Sequence, residues 1–511
     1  MKRLIVWILA AMLLLSGCSS VEPEPQEGSP LGAYGNTDEA ETTLLPARSY
    51  ISLVFYEDMD INPLTTAVNE NHELLKLVYS PLLRLDERLT VHYVLAENVL
   101  TEEKTVTVYL RPNLKFSDGS AVTAGDVVSS LKTVRNTPTS PYYARLLNVK
   151  SVSEVDERTV RITLREKDVD FVNCLDIPVM KKGGNAGCGP YQFGEQGGER
   201  VLVPNPNYFL QPKIATIYLK KPAGEKDRQN MFSVGLLDVY FAAAESELVF
   251  TGGKSFRTQT YAGDNLLYLG MNCSYGILTN GQVRYYLNQL MERSKLVENV
   301  LLGQAEATAY PFQPAWYKAT GLTQGAAWTE PGKKEKAAAY GLTLSENVLT
   351  DASGQQLTFT LMALQESDMH KAVAQAVADS YALSGVKILP ELVDRVTYNT
   401  RLAAGEYQLY LGELKTGRTL NPTLFAAGSV NNFSKGSFPA LEEAAAAYKR
   451  GEIKLTEFAA VYDEYTPLIP LAYRRGVLFS AADIGDFRST GTWALYGDIT
   501  ELVTLETEIS K

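Results

Sequence analysis

The sequence predicts an α/β protein of more than one domain, and three observations carry that expectation. At 511 residues the chain is too long for one ordinary hydrophobic core, so two or three domains are expected. The stretch 187–220 reads as a β-meander, with alternating apolar residues broken by glycine and proline turns. From about residue 271 onward helical periodicity alternates with short strands across glycine-capped links, the pattern of α/β crossovers over a largely parallel sheet. The two halves are therefore different in kind.

Lys2 and Arg3 precede an apolar run, 4–15, which is short for a membrane span and has the shape of a signal peptide. It ends in Leu15-Ser16-Gly17-Cys18, which resembles a bacterial lipobox. That resemblance implies that Cys18 is acylated and becomes the mature N-terminus, anchoring the chain to the cell membrane. Residues 19–47, with Pro23, Pro25 and Pro30 among Glu22, Glu24 and Glu27, read as an extended disordered tether. No second hydrophobic stretch reaches spanning length. The net charge of −11 argues against a nucleic-acid partner, which demands basic surface. Beyond Cys18 there are Cys174, Cys188 and Cys273. An oxidising compartment permits a Cys174–Cys188 bridge, the alternative being small buried thiols, and Cys273 is left over either way.

In chain order, 51–55 is an apolar strand followed by a polar, acidic loop at 56–62. A helix follows over 69–79 with Leu74, Leu75 and Val78 on one face. Strands are expected at 105–110 and 159–164. Between them Thr123 caps a helix carrying Val127, Val128, Leu131 and Val134, with Asp126 in a capping-box relation. Arg111 and Asp118 could suggest a catalytic pair, but a charged, glycine-stabilised turn accounts better for them. Gly189-Pro190 turns the chain into a strand with Tyr191 and Phe193, a return with Val201 and Val203, and a third strand through Ile214, Thr216 and Tyr218.

Leu266 to Asn272 reads as the first crossing into the second half. Helices follow around Val283–Met291 positions, and Ser294 is placed as the cap of the next one. Ser367 or Asp368 starts a helix that runs to Ala382 and stops at Gly385; another, 393–404, stops at Gly405. Strands are expected at 386–389 and 407–411, helices at 441–450 and 455–465, and a returning strand at 467–473.

The order of parts carries a resemblance. G-x-G-P-Y at Gly187–Tyr191 positions, a hairpin, N-P-x-Y ending at Tyr208 and a strand succeed one another. LRPNLKFSDGSAVTAGDVVSSL begins at Leu110, Gly235 and Asp238 precede a hydrophobic strand, and Pro467-Leu468-Ile469-Pro470-Leu471-Ala472-Tyr473 closes the series. Together, over about 48–505, these resemble the extracytoplasmic solute-binding proteins, family 5, of peptide- and nickel-type ABC importers. The resemblance implies a two-lobed, periplasmic-binding-protein-like fold (type II, large three-subdomain form) with hinge strands. Lobe I would comprise 48–270, with a β-rich subdomain at about 62–185, and a return over 476–511. Lobe II would comprise 271–475.

It also implies a function: a membrane-anchored binder that captures a small solute, an oligopeptide first of all, and delivers it to ABC importer permease subunits, acting as a monomer. A nickel chelate, a sugar or another small solute is the alternative, as is a sensor or interaction lipoprotein without transport. In the family the cleft is reached by the loop at Tyr56, Glu57 and Asp58 and by Asn272 after the hinge strand. Peptide binders carry an anchoring segment that corresponds here to Leu411-Gly412-Glu413-Leu414-Lys415-Thr416-Gly417-Arg418-Thr419-Leu420-Asn421-Pro422. Its tryptophan is absent and its D-P is Asn421-Pro422, so Glu413 is the candidate for a ligand ammonium, and Lys415 or Arg418 for an anionic group. No enzyme, cofactor or metal is expected. The sequence has no G-x-S-x-G, P-loop, H-E-x-x-H or CxxC pattern, and His72, His92 and His370 stand far apart. His72-Glu73 reads as a helix-surface pair.

Overall fold

Two glycines, Gly187 and Gly189, seat the start of the β-meander against the first helix. A Cβ on Gly187 or Gly189 would collide with the carbonyl oxygens of Val78 and Leu77, so only glycine lets the two backbones lie this close. The Gly189 N–H donates to Val78 O at 2.8 Å. The G-x-G read from sequence as part of a turn is therefore also a packing seam, with Cys188 buried inside it.

The computed structural model describes residues 42–45, 47–242, 255–322, 328–426, 428–429, 432–485 and 487–510 except 488, 490, 492, 493 and 498. The signal sequence, Cys18 and most of the tether lie outside them. Thr42–Leu45 pairs with Thr507–Ser510 in a separate two-stranded sheet.

The larger unit begins with β1 (Tyr50–Val54) and α1 (Asn69–Val78), which buries Leu74, Leu75 and Val78 as expected. Four antiparallel strands follow, β2 (Ala96–Glu102), β3 (Thr105–Leu110), β4 (Val149–Asp156) and β5 (Thr159–Leu164), in the order β2-β3-β5-β4. Helix α2 (Ala124–Arg135) packs on β4 and β5. The Asp126 carboxylate accepts from Thr123 N and Oγ1, both at 2.8 Å, so the predicted capping box is present. The meander is β6 (Tyr191–Gln196), β7 (Glu199–Pro204) and β8 (Thr216–Lys220), with β8 parallel to β1. After α3 (Glu225–Ser233) comes β9 (Val239–Ala242). Asp238, just before β9, is buried and accepts from both Ser52 N and Arg48, tying β9 to β1.

The second half opens with β10 (Phe256–Met271), 16 residues long, then α4 (Gly281–Leu290) and α5 (Arg293–Asn299). Strands β11 (Thr358–Leu364), β12 (Lys387–Val393) and β13 (Leu409–Lys415) alternate with α6 (Asp368–Ala382) and α7 (Arg395–Ala404). Ser367 caps α6, and Gly405 ends α7 in the left-handed conformation at φ 80°. Then come α8 (Pro439–Arg450), α9 (Leu455–Tyr465) and the 14-residue β14 (Leu468–Ala481).

One sheet runs β9-β14-β10-β13-β11-β12, with the short strand Ala305–Ala307 added on β14. Only β13, β11 and β12 are parallel; β10 and β14 are antiparallel to their partners. The expected largely parallel sheet is thus corrected. Its parallel part is the crossover trio, and the rest consists of the two long strands that enter and leave the second half in opposite directions. The β10–β14 ladder shifts register between Tyr261 and Asn265 and again at Leu267–Tyr268.

Buried side chains form separate clusters around β2–β5, around β1 with the meander, and around the second half. One further expectation, a helix cap, is corrected. Ser294 does not cap α5, which starts at Arg293. The Arg293 guanidinium turns inward, donating to Pro470 O at 2.8 Å and Asn288 O at 2.9 Å. Cys174 and Cys188 are free thiols, as is Cys273. Cys188 Sγ faces the carbonyl of Val179 at 3.5 Å, and burial pushes its pKa up to about 12.

Candidate ligand-binding cavity

A cavity of about 640 Å³ opens where the two halves meet. Helix α1 supplies Glu70, His72 and Glu73, and α3 supplies Glu225 and Arg228. Tyr240 comes from β9, and Tyr261, Asp264 and Asn265 come from the register shift in β10. From the far side come Lys415 at the end of β13, Arg418 beyond it, and Arg474 and Arg475 on β14. A second hollow, about 1000 Å³, is lined by Phe55, Glu57, Phe193, Arg200 and their neighbours. All of its lining residues precede β10, so a ligand there would not touch the second half.

Three charge networks shape the smaller cavity. Arg228 donates to Glu70 at 2.5 Å and to Glu225, while its guanidinium lies 4.8 Å from the Tyr240 ring centre. Tyr240 in turn donates to Glu225.

In the second network Glu73 is buried and faces Lys76, His72 Nδ1 at 2.9 Å and the Leu495 N–H at 3.1 Å. Burial alone would raise its pKa, but Lys76 and His72 reverse that and hold the carboxyl below the usual range. Burial, reinforced by Lys76, lowers the His72 pKa, so its ring is neutral. His72 and Glu73 are therefore not the helix-surface pair expected, because α1 turns this face towards the cavity. Beside them Asp176 takes Arg145 at 2.7 Å and Arg418. Against the opposing effect of burial, those two guanidiniums keep its pKa low.

The third network centres on Glu413, which receives Asn265 Nδ2 at 2.6 Å, Arg474 Nη1 at 3.0 Å and His370 Nε2 at 3.3 Å.

The residues chosen from sequence fall in different places. Arg418 and Lys415 line the cavity. Glu413 stands behind it, already engaged by three side chains. Tyr56 is fixed by its backbone, its N–H donating to Asn71 Oδ1 at 2.8 Å. Glu57 lines the other hollow, and exposed Asp58 pairs with Lys221 at 2.8 Å. Asn272 ties the end of β10 to the link before β13, donating to Gly405 O and Tyr407 O, both at 3.1 Å. Asn421 caps the short turn of helix Pro422–Leu424, accepting from Thr423 N at 3.1 Å.

Arg111 and Asp118 do not meet. The first donates to Val94 O, and the second pairs with Lys181 at 2.6 Å. Sequence reasoning missed Glu70, Arg228, Asp264, Arg474 and Arg475. Arg474-Arg475, two cations in the middle of an otherwise apolar strand, was the signal that could have exposed the last pair.

A model of the bacterial extracellular solute-binding proteins, family 5 (middle) matches residues 90–435. The oligopeptide-binding protein AppA of Bacillus subtilis (strain 168) is 24% identical over 367 residues, covering 65% of this chain and 67% of AppA. Among solved structures, the unliganded open form of the periplasmic murein tripeptide binding protein MppA superposes with a TM-score of 0.73 at 18% identity. The match spans 91% of this chain and 99% of that one. NikZ from Campylobacter jejuni in complex with Ni(L-His) gives 0.60 at 18% identity, spanning 89% and 98%.

The chain belongs to the bacterial extracellular solute-binding proteins of family 5, the substrate-binding components of ABC importers, and has their periplasmic-binding-protein fold. No helix among the described residues is long and apolar enough to cross a membrane.

Proposed function

We propose that this protein captures a short oligopeptide in the 640 Å³ cavity and delivers it to the permease of an ABC importer, held at the membrane by a lipid on Cys18. The observation that carries the reading is the cavity's lining. Carboxylates and cations come from α1, α3 and β10 on one side, and cations alone from β13, the segment after it and β14 on the other. A zwitterionic solute lodged there contacts both halves and stabilises the closed arrangement. The volume falls within the ordinary range for small-ligand sites. The two lobes are 48–270 with 476–511, and 271–475, turning about β10 and β14. The register shift at Tyr261–Asn265 supports a bend there.

The test is to purify the protein and identify what leaves it on mild denaturation, by native mass spectrometry. A set of short peptides is the expected result. A metal chelate would replace the peptide reading, and release of no ligand together with no binding of a peptide library would remove it. For the anchor, Cys18→Ala should abolish labelling by a radioactive fatty acid and release the chain from membranes; retained labelling would refute it.

A further inference from the structure

The charged groups around the cavity are engaged to very different degrees. Glu70 and Glu225 are engaged by Arg228, and Glu73 by Lys76 and His72. Arg145 and Arg418 share Asp176, and Arg474 faces Glu413. Two cations are left with little or nothing.

Arg475 reaches Thr260 and Glu306 only at 3.5 Å each, and its Nε is buried without a hydrogen-bond partner. Lys415 makes no ion pair among the described residues. The Nε of Arg228 is a second buried guanidinium nitrogen without an acceptor. Buried donors of this kind are seldom left unmet in a finished structure. Seven other buried polar atoms among the described residues lack partners, and of these His72 Nε2 alone belongs to a residue lining this cavity.

The unmet acceptors are fewer. Asp264 is the one lining carboxylate without a partner among the described residues. His72 Nε2 is buried and unpartnered; with Nδ1 facing Glu73 and the ring neutral, it carries a lone pair.

We infer that the solute is an acidic peptide, with its carboxylates taken by the Arg475 guanidinium and the Lys415 ammonium, which line the same cavity. A guanidinium edge offers two parallel N–H groups in the spacing of a carboxylate, which makes it the best of these groups for such a partner. A further ligand oxygen meets Arg228 Nε, and peptide N–H or ammonium groups serve Asp264 and His72. A phosphate ester would answer the cations and leave those two acceptors unmet. The inference rests on the peptide reading above and narrows it.

The experiment is calorimetry on the detergent-solubilised full-length chain with Ala-Glu-Glu and with Ala-Gln-Gln amide. The acidic peptide should bind at least about tenfold more tightly. Arg475→Gln should bring that ratio below about threefold while leaving the amide's affinity and the thermal midpoint near those of the parent, and Arg475→Lys should restore part of it. A purely structural role for Arg475 would weaken both peptides alike. Equal binding of the two peptides, or an unchanged ratio in Arg475→Gln, overturns the inference and leaves the peptide reading standing. If neither peptide binds, the peptide reading fails and glutarate and glycerol 3-phosphate are titrated. Glutarate binding that is lost in Arg475→Gln then supports an acidic carboxylate ligand; binding of glycerol 3-phosphate alone, or of neither, overturns it.

Discussion

Two buried aspartates, Asp170 and Asp176, both reach from the first half of the chain to the second, and they are held in opposite protonation regimes. Asp176 sits between the guanidiniums of Arg145 and Arg418, which overcome the penalty of burial and keep it ionised. Asp170 accepts from Tyr448 at 3.1 Å, but its nearest cation, Lys449, lies 3.9 Å from it and only 3.0 Å from Asp168. Burial, with only partial relief from Lys449 and with Asp168 opposing ionisation, pushes Asp170 up to about 6. Its Oδ2 is buried without a hydrogen-bond partner. Two cations to one carboxylate fix a charge; one cation shared by two carboxylates does not.

The comparison breaks most visibly at Asp176. Asp176→Ala leaves two guanidiniums facing each other in the interior, and stability should fall by about 3–5 kcal/mol, read from a denaturant curve. A loss below about 1 kcal/mol would show that the pair is hydrated and that Asp176 is not needed to hold the two guanidiniums together.

Asp170→Asn comes next, and its effect depends on pH. Because the folded pKa lies above the unfolded one, the folded state gains a proton first, so this group costs stability at pH 7 and the cost fades as pH falls through 6 towards 4. A shift of roughly two units corresponds to about 2–3 kcal/mol. The parent chain should therefore gain on Asp170→Asn between pH 7 and pH 4, the curves converging in acid; parallel curves would show that Asp170 does not titrate there. Lys449→Met should move that midpoint above 6, which the same pH series would detect. The smallest effect is expected at the exposed Asp118–Lys181 pair, where Asp118→Asn should leave the thermal midpoint unchanged.

The secondary structure was legible where local chemistry decides it. Ser367, Gly405 and the Thr123–Asp126 box mark their helix ends because a cap is satisfied within three or four residues. The sheet was less legible, since the direction of β10 and β14 depends on where the chain returns and not on any local signal.

The site was least legible. Arg418 could be picked out by its place after β13, but its partner Asp176 lies 242 residues earlier, and nothing near either residue announces the other. Glu413 looked available in the sequence and is occupied by His370, Asn265 and Arg474, all brought by other elements. Arg228 and Glu70 meet for the same long-range reason.

The glycine seam at Gly187 and Gly189 has a consequence well away from it. It fixes the C-terminal end of α1, while Glu70 and His72 stand near the other end, roughly 12 Å along the axis at 1.5 Å per residue. The helix is therefore a lever with its pivot at the seam. A methyl group there would have to push the pivot outward or tilt the rod, and a tilt of about 5° over that length moves Glu70 by roughly 1 Å. That is enough to spoil a 2.5 Å contact with Arg228. The two smallest residues in the region thus set how finely the far end of the helix is aimed, and a change at either should be felt as lost affinity even if the chain still folds.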